Sequence, residues 1–447
     1  MTSLAKLTDA LLHAATRAGA ETADAIAIKG HSVAVEVRDR ALEHAESAES
    51  VEIGLRVLLG QRQATVASSD TGAEAIAEMA ERAVDMARVA PEDAHVGLAD
   101  PDQLARHWDL GALDLVDGSD PPAPAEMERT ALLAEAAALS HQGISQVAVA
   151  AASFGRSAFH LAATNGFSGG WEHTSHGTDC VAISGEGLEM ERDHCSESRI
   201  HRSDLPDAED IGHRAAERAL ARAGARKPET GAFPVLYDER IAGSLIGHLL
   251  QAANGSAVAR GSSWLRDRLG ESVLPDGLSI SENPHRPRVS GSRPFDAEGL
   301  PTRARKIVEH GILNGWTLDL ATARKLGMES TASASRGPAS PPTPSVTNIA
   351  LTEGCVSRDD LIRDMGNGLM VTSLMGTSIN PTTGDYSRGA SGFWIENGEI
   401  AYPVNECTIA GNLHDMFRTF RPANDARHHL RRVVPSLLVE GLTVAGK

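Results

Sequence analysis

A group of histidines and cysteines in the middle of the sequence carries side chains that bind transition metals. Neutral imidazole and thiolate are the usual protein ligands of Zn²⁺, so this group supplies enough donors for a site. Its spacing matches no zinc motif, and the segment is typical of strands with a turn, where positions i and i+3 point to opposite faces. We expect polar loop residues here, with a metal site as the alternative. The members are His173, His176, Cys180, His194, Cys195 and His201.

Two further cysteines and one serine are candidate nucleophiles. Neither Cys355 nor Cys407 has a histidine or a basic residue directly beside it in the sequence to lower the pKa of its thiol, so we expect buried or inert thiols. Ser391 is followed by a strand pattern, whereas a nucleophile elbow requires a helix. The sequence therefore does not predict nucleophilic catalysis by these residues.

The glycines around Ser391 favour close approach of another backbone. This property suits either tight packing within a sheet or an extended peptide that lies beside the strand. Both interpretations stay open. Under the second, the candidate contacts with a substrate peptide are Arg388, Gly389, Ser391 and Gly392.

The overall charge argues against nucleic acid and against anionic membranes as partners. The chain has 42 basic and 60 acidic residues among 447, a net charge of −18, and no basic block. Met1–Ala20 lacks the apolar core of a signal peptide, and no window approaches the roughly 20 apolar residues of a membrane span. The four cysteines form no CxxC pair. We therefore expect a cytoplasmic protein with reduced thiols.

The length exceeds the size at which one hydrophobic core normally stops growing, so several domains are expected. Apolar periodicity predicts an α+β protein of three units. They are an N-terminal helix–sheet unit over residues 1–110, a middle helix–meander unit over 111–228, and a strand-rich antiparallel C-terminal domain over 229–447.

Local patterns refine this division. In the middle unit, short runs separated by glycines predict four meander strands. In the third unit, Asn254-Gly255 predicts a helix C-cap, and Arg336–Val346, rich in Pro, Ser and Ala, predicts a surface loop. The four runs are Ser145–Ser153, His160–Thr164, Gly170–Thr174 and Cys180–Ser184.

Antiparallel strands are strongly indicated within Gly366–Phe417. The two turn residues Asn397-Gly398 are the best short-range signal for a hairpin. Both faces of this hairpin carry packing groups, so we expect other elements to cover it on both sides. The turn predicts three cross-strand pairs, namely Ile395 with Ile400, Phe393 with Tyr402, and Trp394 with Ala401.

The run from Asn380 to Asn412 resembles the C-terminal signature of the TldD/PmbA family, in particular its PmbA branch, which is also called TldE. The resemblance spans nearly the whole chain and is dense after residue 230. Further similar stretches are Ala242-Gly243-Ser244-Leu245, Gly255-Ser256-Ala257-Val258-Ala259-Arg260-Gly261 and Asp267-Arg268-Leu269-Gly270.

The catalytic TldD branch of this family carries HExxxH on the helix that corresponds to Glu239–Ala253. Its two histidines bind zinc, its glutamate activates water, and a late cysteine adds a ligand. Here the corresponding positions are Ile246, Gly247 and Gln251, none of which can perform these roles. No His-Glu dipeptide occurs anywhere in the sequence. His248 stands alone among leucines, and we expect it to pack against the core.

The resemblance therefore implies a PmbA/TldE-type subunit of a cytosolic zinc metallopeptidase that acts on unfolded or extended peptides. It implies no catalytic residue and no metal ligand in this chain, with zinc held by a TldD-type partner. This chain would form a heterodimer with that partner, or a homodimer, and would shape part of the substrate cavity. Two alternatives are a homodimeric, chaperone-like peptide-binding protein and a stand-alone metal hydrolase that uses the His173–His201 cluster.

Overall fold

The computed structural model describes residues 3–446, and it confirms the predicted α+β class. The helices are α1 Leu4–Ala18, α2 Ala73–Val89, α3 Leu110–Leu113, α4 Pro124–Leu139, α5 Ala208–Ala221, α6 Glu239–Ala252, α7 Gly255–Ala259, α8 Leu320–Leu326, α9 Arg358–Met365 and α10 Leu413–Thr419. None of these helices is long and apolar enough to cross a membrane.

The strands of the N-terminal half are long and those of the C-terminal half mostly short. The strands are β1 Thr22–Arg38, β2 Ala41–Leu59, β3 Arg62–Ser68, β4 Ile144–Ala163, β5 Ser168–Ser184, β6 Glu191–Arg199, β7 Gly231–Tyr237, β8 Ile280–Glu282, β9 Arg305–Glu309, β10 Ile312–Leu313, β11 Ala334–Ser335, β12 Thr343–Pro344, β13 Ile349–Leu351, β14 Gly368–Ile379, β15 Asp385–Glu396, β16 Glu399–Asn412, β17 Arg421–Pro422, β18 Arg432–Val433 and β19 Leu437–Ala445.

One antiparallel sheet spans the N-terminal half in the order β3-β2-β1-β4-β5-β6. Helices α1 and α2 pack on β1–β3, and α4 and α5 pack on the strands around β5. Because β1 pairs with β4 from Asp24–Ala163 to Val37–Ala150, strands of the first two predicted units share one sheet. The three-unit division itself stays a prediction.

The four short meander strands predicted in the middle unit are wrong, since they merge into the two long strands β4 and β5. The sequence pattern predicts breaks between strands at glycines such as Gly155 and Gly177. Both lie inside the ladder, where Gly155 faces Ser175 and Gly177 faces Ser153. Neighbouring strands hold β4 and β5 on both sides, and this pairing outweighs the weak strand preference of glycine.

The outer part of β2 extends beyond its neighbour. β3 pairs with β2 only from Ile53 to Leu59, whereas β1 pairs with β2 along its whole length. Residues 41–50 of β2 are exposed throughout. This segment therefore forms a projecting edge of the sheet, and it carries Glu43, Glu46 and Glu49.

Five strands of the C-terminal domain close into a barrel in the order β16-β15-β14-β7-β19. Closure occurs where β19 pairs again with β16, at Thr408–Ala445 and Ile409–Val444. β7 and β14 run parallel, and the other neighbours in the barrel are antiparallel. The predicted strand-rich domain is confirmed, with this parallel pair inside it.

Both sides of the barrel wall are covered, as the apolar faces of the predicted hairpin require. Val235 and Tyr237 of β7 pack in the large core with α6 and α10, whereas Leu236 packs with α9. In the hairpin, Trp394 and Ile395 are buried, but Ile400 near the turn is 53% exposed. The hairpin is therefore buried along its body and exposed at its tip.

A bulge changes the predicted register of this hairpin. Ile395 faces Ile400 as expected, but Trp394 faces Tyr402 and Phe393 faces Pro403. The register shifts between Trp394 and Ile395, so the predicted pairs Trp394–Ala401 and Phe393–Tyr402 are wrong. An extra residue on one strand is a local feature that the alternation of apolar residues does not reveal.

The predicted C-cap at Asn254-Gly255 is also wrong. The helix α6 ends at Ala252, and Asn254 instead begins α7, where its side chain accepts a hydrogen bond from the Ser256 amide. Its amide nitrogen donates to the carbonyl of Pro344 at 2.8 Å. Asn254 thus connects α7 to β12, which pairs with β11 in a two-stranded sheet.

The segment Arg336–Val346 is not simply a surface loop, because its first side chain is completely buried. Arg336 forms an ion pair with Asp24 of β1, and Arg56 of β2 donates to the same carboxylate at 2.8 and 2.5 Å. Burial alone would raise the pKa of Asp24, but the two guanidiniums more than offset this and lower it. This ion triad joins the N-terminal sheet to the C-terminal domain.

A second group of charges joins β6 to the C-terminal domain around Glu197, whose side chain is 4% exposed. Arg427 Nη1 lies 3.1 Å from this carboxylate, Arg199 Nη1 lies at 2.9 Å, and His429 Nε2 at 3.4 Å. Burial would raise the pKa of Glu197, but these partners lower it to about 2. Glu197 therefore stays ionised and bridges the two domains at neutral pH.

The ion triad predicts a large loss of stability for the substitution Asp24→Asn. It leaves the guanidiniums of Arg56 and Arg336 buried without a counter-charge, and breaking such a buried group costs about 3–5 kcal/mol. Urea unfolding measures the change. The matched control is Asp85→Asn, since Asp85 pairs with Arg88 on the surface with both side chains more than 60% exposed. We expect less than about 1 kcal/mol there, and equal losses would contradict the role of the triad.

Glu197 predicts a pH-dependent stability difference. Its folded pKa, about 2, lies below the ordinary value of 4.5, so its contribution is present above pH 4.5 and disappears as the pH falls towards 2. Glu197→Gln should cost on the order of 2–3 kcal/mol at pH 7 and almost nothing near pH 2. Denaturant unfolding across this range checks it, with the exposed Glu189→Gln as control. A constant difference at all pH values would refute it.

The packing of the barrel strands predicts unequal losses of stability when two nearby glycines of β15 are replaced by alanine. A Cβ on Gly392 would lie 1.9 Å from the carbonyl oxygen of Met370, whereas one on Gly389 would meet its nearest atom at 3.4 Å. Gly392→Ala should therefore cost about 1–3 kcal/mol or more in unfolding free energy, because β14 and β15 must separate. Gly389→Ala should be much milder. Thermal unfolding of both variants distinguishes them, and similar losses would argue against tight packing at Gly392.

Candidate functional site

The histidines of the candidate metal cluster point to separate partners. His176 is buried, with Nε2 3.3 Å from Oδ2 of Asp117. The Nε2 atom of His201 lies 3.1 Å from Oδ1 of Asp114. The side chain of His194 is 67% exposed. These contacts show no common point at which the imidazoles converge.

The two cysteines of the cluster lie directly opposite each other. Cys180 of β5 faces Cys195 of β6 inside the apolar cluster beneath α4 and α5. Burial raises the pKa of Cys180 to about 12 and also raises that of Cys195, so both thiols stay protonated. Within residues 3–446, no three His, Cys, Asp or Glu side chains are placed to hold a metal ion. A hydrolase built on His173–His201 is therefore not favoured.

Cys407 and Ser391 occupy structural positions, whereas Cys355 does not. Cys407 is buried on β16, and its Sγ lies 3.1 Å from the carbonyl oxygen of Ala390. Burial raises the pKa of Cys407 to about 11. Ser391 accepts a hydrogen bond from Arg222 Nη2 at 2.9 Å, which connects β15 to the end of α5. Cys355 is exposed.

Arg388, Gly389, Ser391 and Gly392 lie on a strand that is paired on both edges. β14 covers one edge of β15 and β16 covers the other. Arg388 also donates from Nε to the carbonyl of Gly376 at 2.7 Å. This geometry supports the sheet-packing interpretation of the glycines. A peptide could reach these residues only across a face of the barrel wall, so their role in substrate contact stays a prediction.

Helix α6 places the three degenerate motif positions in very different surroundings. Its N-terminus is capped by Asp238, and its apolar residues pack into the barrel core. Ile246 is completely buried, and Gln251 is exposed. A Cβ on Gly247 would lie 3.1 Å from the Nη1 atom of Arg432. The helix therefore places an isoleucine, a guanidinium-facing glycine and an amide at the three positions that the family resemblance aligns with HExxxH.

These residues do not fit a zinc ion. An isoleucine has no donor atom, a glycine has no carboxylate to act as general base, and an amide oxygen is a weak ligand for Zn²⁺. The nearby cation of Arg432 would further disfavour a second positive charge. The donor set on α6 therefore lacks both the ligands and the base of the HExxxH arrangement.

A cleft of about 570 Å³ opens at the C-terminal end of α6. Its walls come from α6, from α7 and the residues after it, from β12, and from the turn between β14 and β15. This volume lies within the range of small-ligand and peptide pockets. The lining residues are His248, Gln251, Ala252, Asn254, Ser256, Ala257, Arg260, Ser262, Trp264, Thr343, Pro344, Ile379 and Pro381.

His248 connects this cleft to the barrel. Its ring packs edge-on against Tyr386 with 5.9 Å between centroids, and its Nε2 is buried without a hydrogen-bond partner among the described residues. Burial, together with the charges of Arg388 and Arg432, lowers the pKa of His248 to about 4. The imidazole is therefore neutral at pH 7, in a region of positive potential.

Sequence reasoning placed His248 against the core but did not predict the cleft. The other wall residues are far apart in the chain, and no local pattern indicates that they meet. Only two features of the sequence point weakly to residues of the cleft. Arg260 lies in the family-like run 255–261, and Pro381 lies in the turn-forming run that begins at Asn380.

Comparison with known families matches most of the chain to one group of proteins. Residues 23–87 match domain 1 of the PmbA/TldA metallopeptidases, residues 117–223 match their central domain, and residues 230–446 match their C-terminal domain. The three matches follow the order of the family domains and cover most of the chain.

Individual proteins agree with this assignment. The chain is 36% identical to Metalloprotease PmbA of Escherichia coli O157:H7 over 94% of its own length and 91% of that protein. It is 35% identical to a PmbA homolog of Haemophilus influenzae over 97% and 94%.

Solved structures share the fold. A proposed modulator of DNA gyrase from Bacteroides thetaiotaomicron superposes with a TM-score of 0.91 at 26% identity, covering 99% of this chain and 98% of the other. TldE of Thermococcus kodakarensis has a TM-score of 0.84 at 19% identity over 98% and 100%, which shows the fold alone. With three family domains in order and 36% identity over nearly its full length, the chain belongs to the PmbA/TldD metallopeptidase family.

Proposed function

We propose that this chain is the PmbA/TldE-type subunit of a cytosolic zinc metallopeptidase that acts on unfolded or extended peptides. It shapes part of the substrate cavity and does not itself hold the zinc. The zinc belongs to a TldD-type partner, with which this chain forms a heterodimer.

The donor set of α6 carries this proposal. By the family resemblance, Ile246, Gly247 and Gln251 correspond to the positions at which the catalytic branch has two imidazoles and a carboxylate, and none of the three carries such a group. The surroundings are equally unsuited to the metal, because Arg432 faces Gly247 and Ile246 is part of the core. A chain that keeps the family fold without these groups retains the shape of a peptidase subunit and lacks its chemistry.

The position of the cleft supports a role in substrate binding. It opens beside the same helix, and a volume of about 570 Å³ accommodates a few residues of an extended peptide. Apolar side chains line one part and amide, hydroxyl and basic groups line the rest, a mixture suited to a peptide. The excess of 60 acidic over 42 basic residues disfavours direct contact with DNA, although one structural neighbour is described as a gyrase modulator.

The first test of this role is zinc stoichiometry. The isolated chain, incubated with Zn²⁺ and then desalted, should retain far less than one zinc per chain by elemental analysis. It should also fail to cleave an unfolded test protein such as reduced, alkylated casein. A relative that carries HExxxH, purified in the same way, is the positive control. One tightly held zinc together with chelator-sensitive cleavage by the isolated chain would refute the proposal.

The second test is the partner. Affinity purification from the cells that express this chain naturally should recover a relative with HExxxH in a 1:1 ratio. The recovered complex should cleave casein, and a chelator should abolish cleavage. Recovery of only a homodimer that binds unfolded peptides without cleaving them would instead favour the chaperone-like alternative. In that case the peptidase role would be wrong.

A further inference from the structure

The cleft at the end of α6 differs in charge from the rest of the molecule. The chain has a net charge of −18, yet none of the residues that line the cleft is an aspartate or a glutamate. The lining includes the guanidinium of Arg260 and the imidazole of His248. A cavity without carboxylates in so acidic a protein is suited to a negatively charged ligand.

Among residues 3–446, Arg260 is the one cationic side chain that lines the cleft. It is exposed, and the described part of the chain gives its guanidinium no hydrogen bond and no ion pair. Nearby arginines are different, because Arg266 pairs with Asp267 and Arg268 pairs with Glu271. Arg260 is therefore available to bind an anion that enters the cleft.

His248 supplies an unused polar atom on another wall. Its Nε2 is buried and has no partner within residues 3–446. Arg388 and Arg432 lie close enough for their charges to act on this imidazole, so the surroundings favour an anion. Once the imidazole ring turns towards the cleft, a ligand oxygen that accepts a hydrogen bond from Nε2 would satisfy a buried polar group that now has no hydrogen-bond partner among the described residues.

The remaining wall is apolar and firmly held. Trp264 lines the cleft and packs between His414, at 4.8 Å between centroids, and Phe417, on which it stacks at 5.8 Å. Ile379 and the prolines Pro344 and Pro381 add to this wall. An apolar wall beside a cationic group matches a ligand with a hydrophobic part and an acidic part.

We propose that this cleft binds a carboxylate of a peptide, with Arg260 as its charged partner and His248 as a hydrogen-bond donor. A single planar guanidinium matches the two oxygens of a carboxylate. The apolar wall receives the neighbouring side chain of the same peptide. The proposal deepens the proposed function, because the peptide is then the substrate of the complex. The carboxylate is either the C-terminus of the peptide or an Asp or Glu side chain.

Fluorescence anisotropy with the full chain and labelled peptides tests this inference without the partner and without zinc. The four probes are Ala-Leu-Ala-Ala-Leu-Ala with a free C-terminus, its C-terminal amide, and amidated versions with Glu or Gln at position four. We expect the free acid, the Glu peptide or both to bind at least tenfold more tightly than the matched neutral peptide. The preferred acid identifies the source of the carboxylate.

The substitution Arg260→Gln should remove this tenfold preference and leave weak binding of the neutral peptides unchanged. Arg266→Gln, another exposed arginine on the same part of the surface, is the matched control and should keep the preference. Thermal unfolding verifies that both variants fold. His248→Phe removes the donor nitrogen and should weaken binding of the acidic peptide while Arg260 is present.

Two results would overturn the inference. One is equal binding of acidic and neutral peptides by the unchanged chain, or a tenfold preference for the acidic peptide that persists in Arg260→Gln. The other is displacement of the peptide by inorganic phosphate at equal or lower concentration, which would make the cleft a general anion site. Neither result depends on zinc content or cleavage, so this inference and the proposed function can fail separately.

Discussion

The buried ion triad of Asp24, Arg56 and Arg336 is the interaction on which the relation between the two halves of the molecule depends. It connects the first two strands of the N-terminal sheet to a segment of the C-terminal domain more than 300 residues away. Removing one partner from charges buried in this way is strongly destabilising, because the remaining charges are left buried without compensation. The charges around Glu197 provide a second connection, from β6 to the same domain.

Between these connections, the closed barrel provides a rigid base for α6. Because β16 pairs with β19, the barrel strands support one another around the ring. The apolar face of α6 packs against the barrel core. Gly247, His248 and Gln251 lie on the less buried side of the helix. In this family fold, the helix positions the residues and their identity decides the chemistry. Here the helix carries Ile246, Gly247 and Gln251 and borders the cleft at its C-terminal end.

Much of this arrangement could be predicted from the sequence. The spacing of leucines predicts α1, and the Asn397-Gly398 turn predicts the β15–β16 hairpin. Because the sequence contains no His-Glu dipeptide, it cannot contain the HExxxH motif. Other features depend on contacts between distant residues. The pairing of Arg336 with Asp24 spans 312 positions, and the cleft joins residues between 248 and 381, so no local pattern contains either. The prediction of four short strands is wrong because glycines inside β4 and β5 are kept extended by pairing with neighbouring strands, whatever their local preference.

The projecting end of β2 has a consequence for how copies of this protein meet in solution. Unpaired strand edges are natural templates for joining a second chain, and many proteins protect them with charge. Glu43, Glu46 and Glu49 lie along this edge. If two copies aligned here, their carboxylates would repel each other at neutral pH. The edge is therefore an electrostatic barrier to self-association, and a strand that adds to it must carry compensating positive charge.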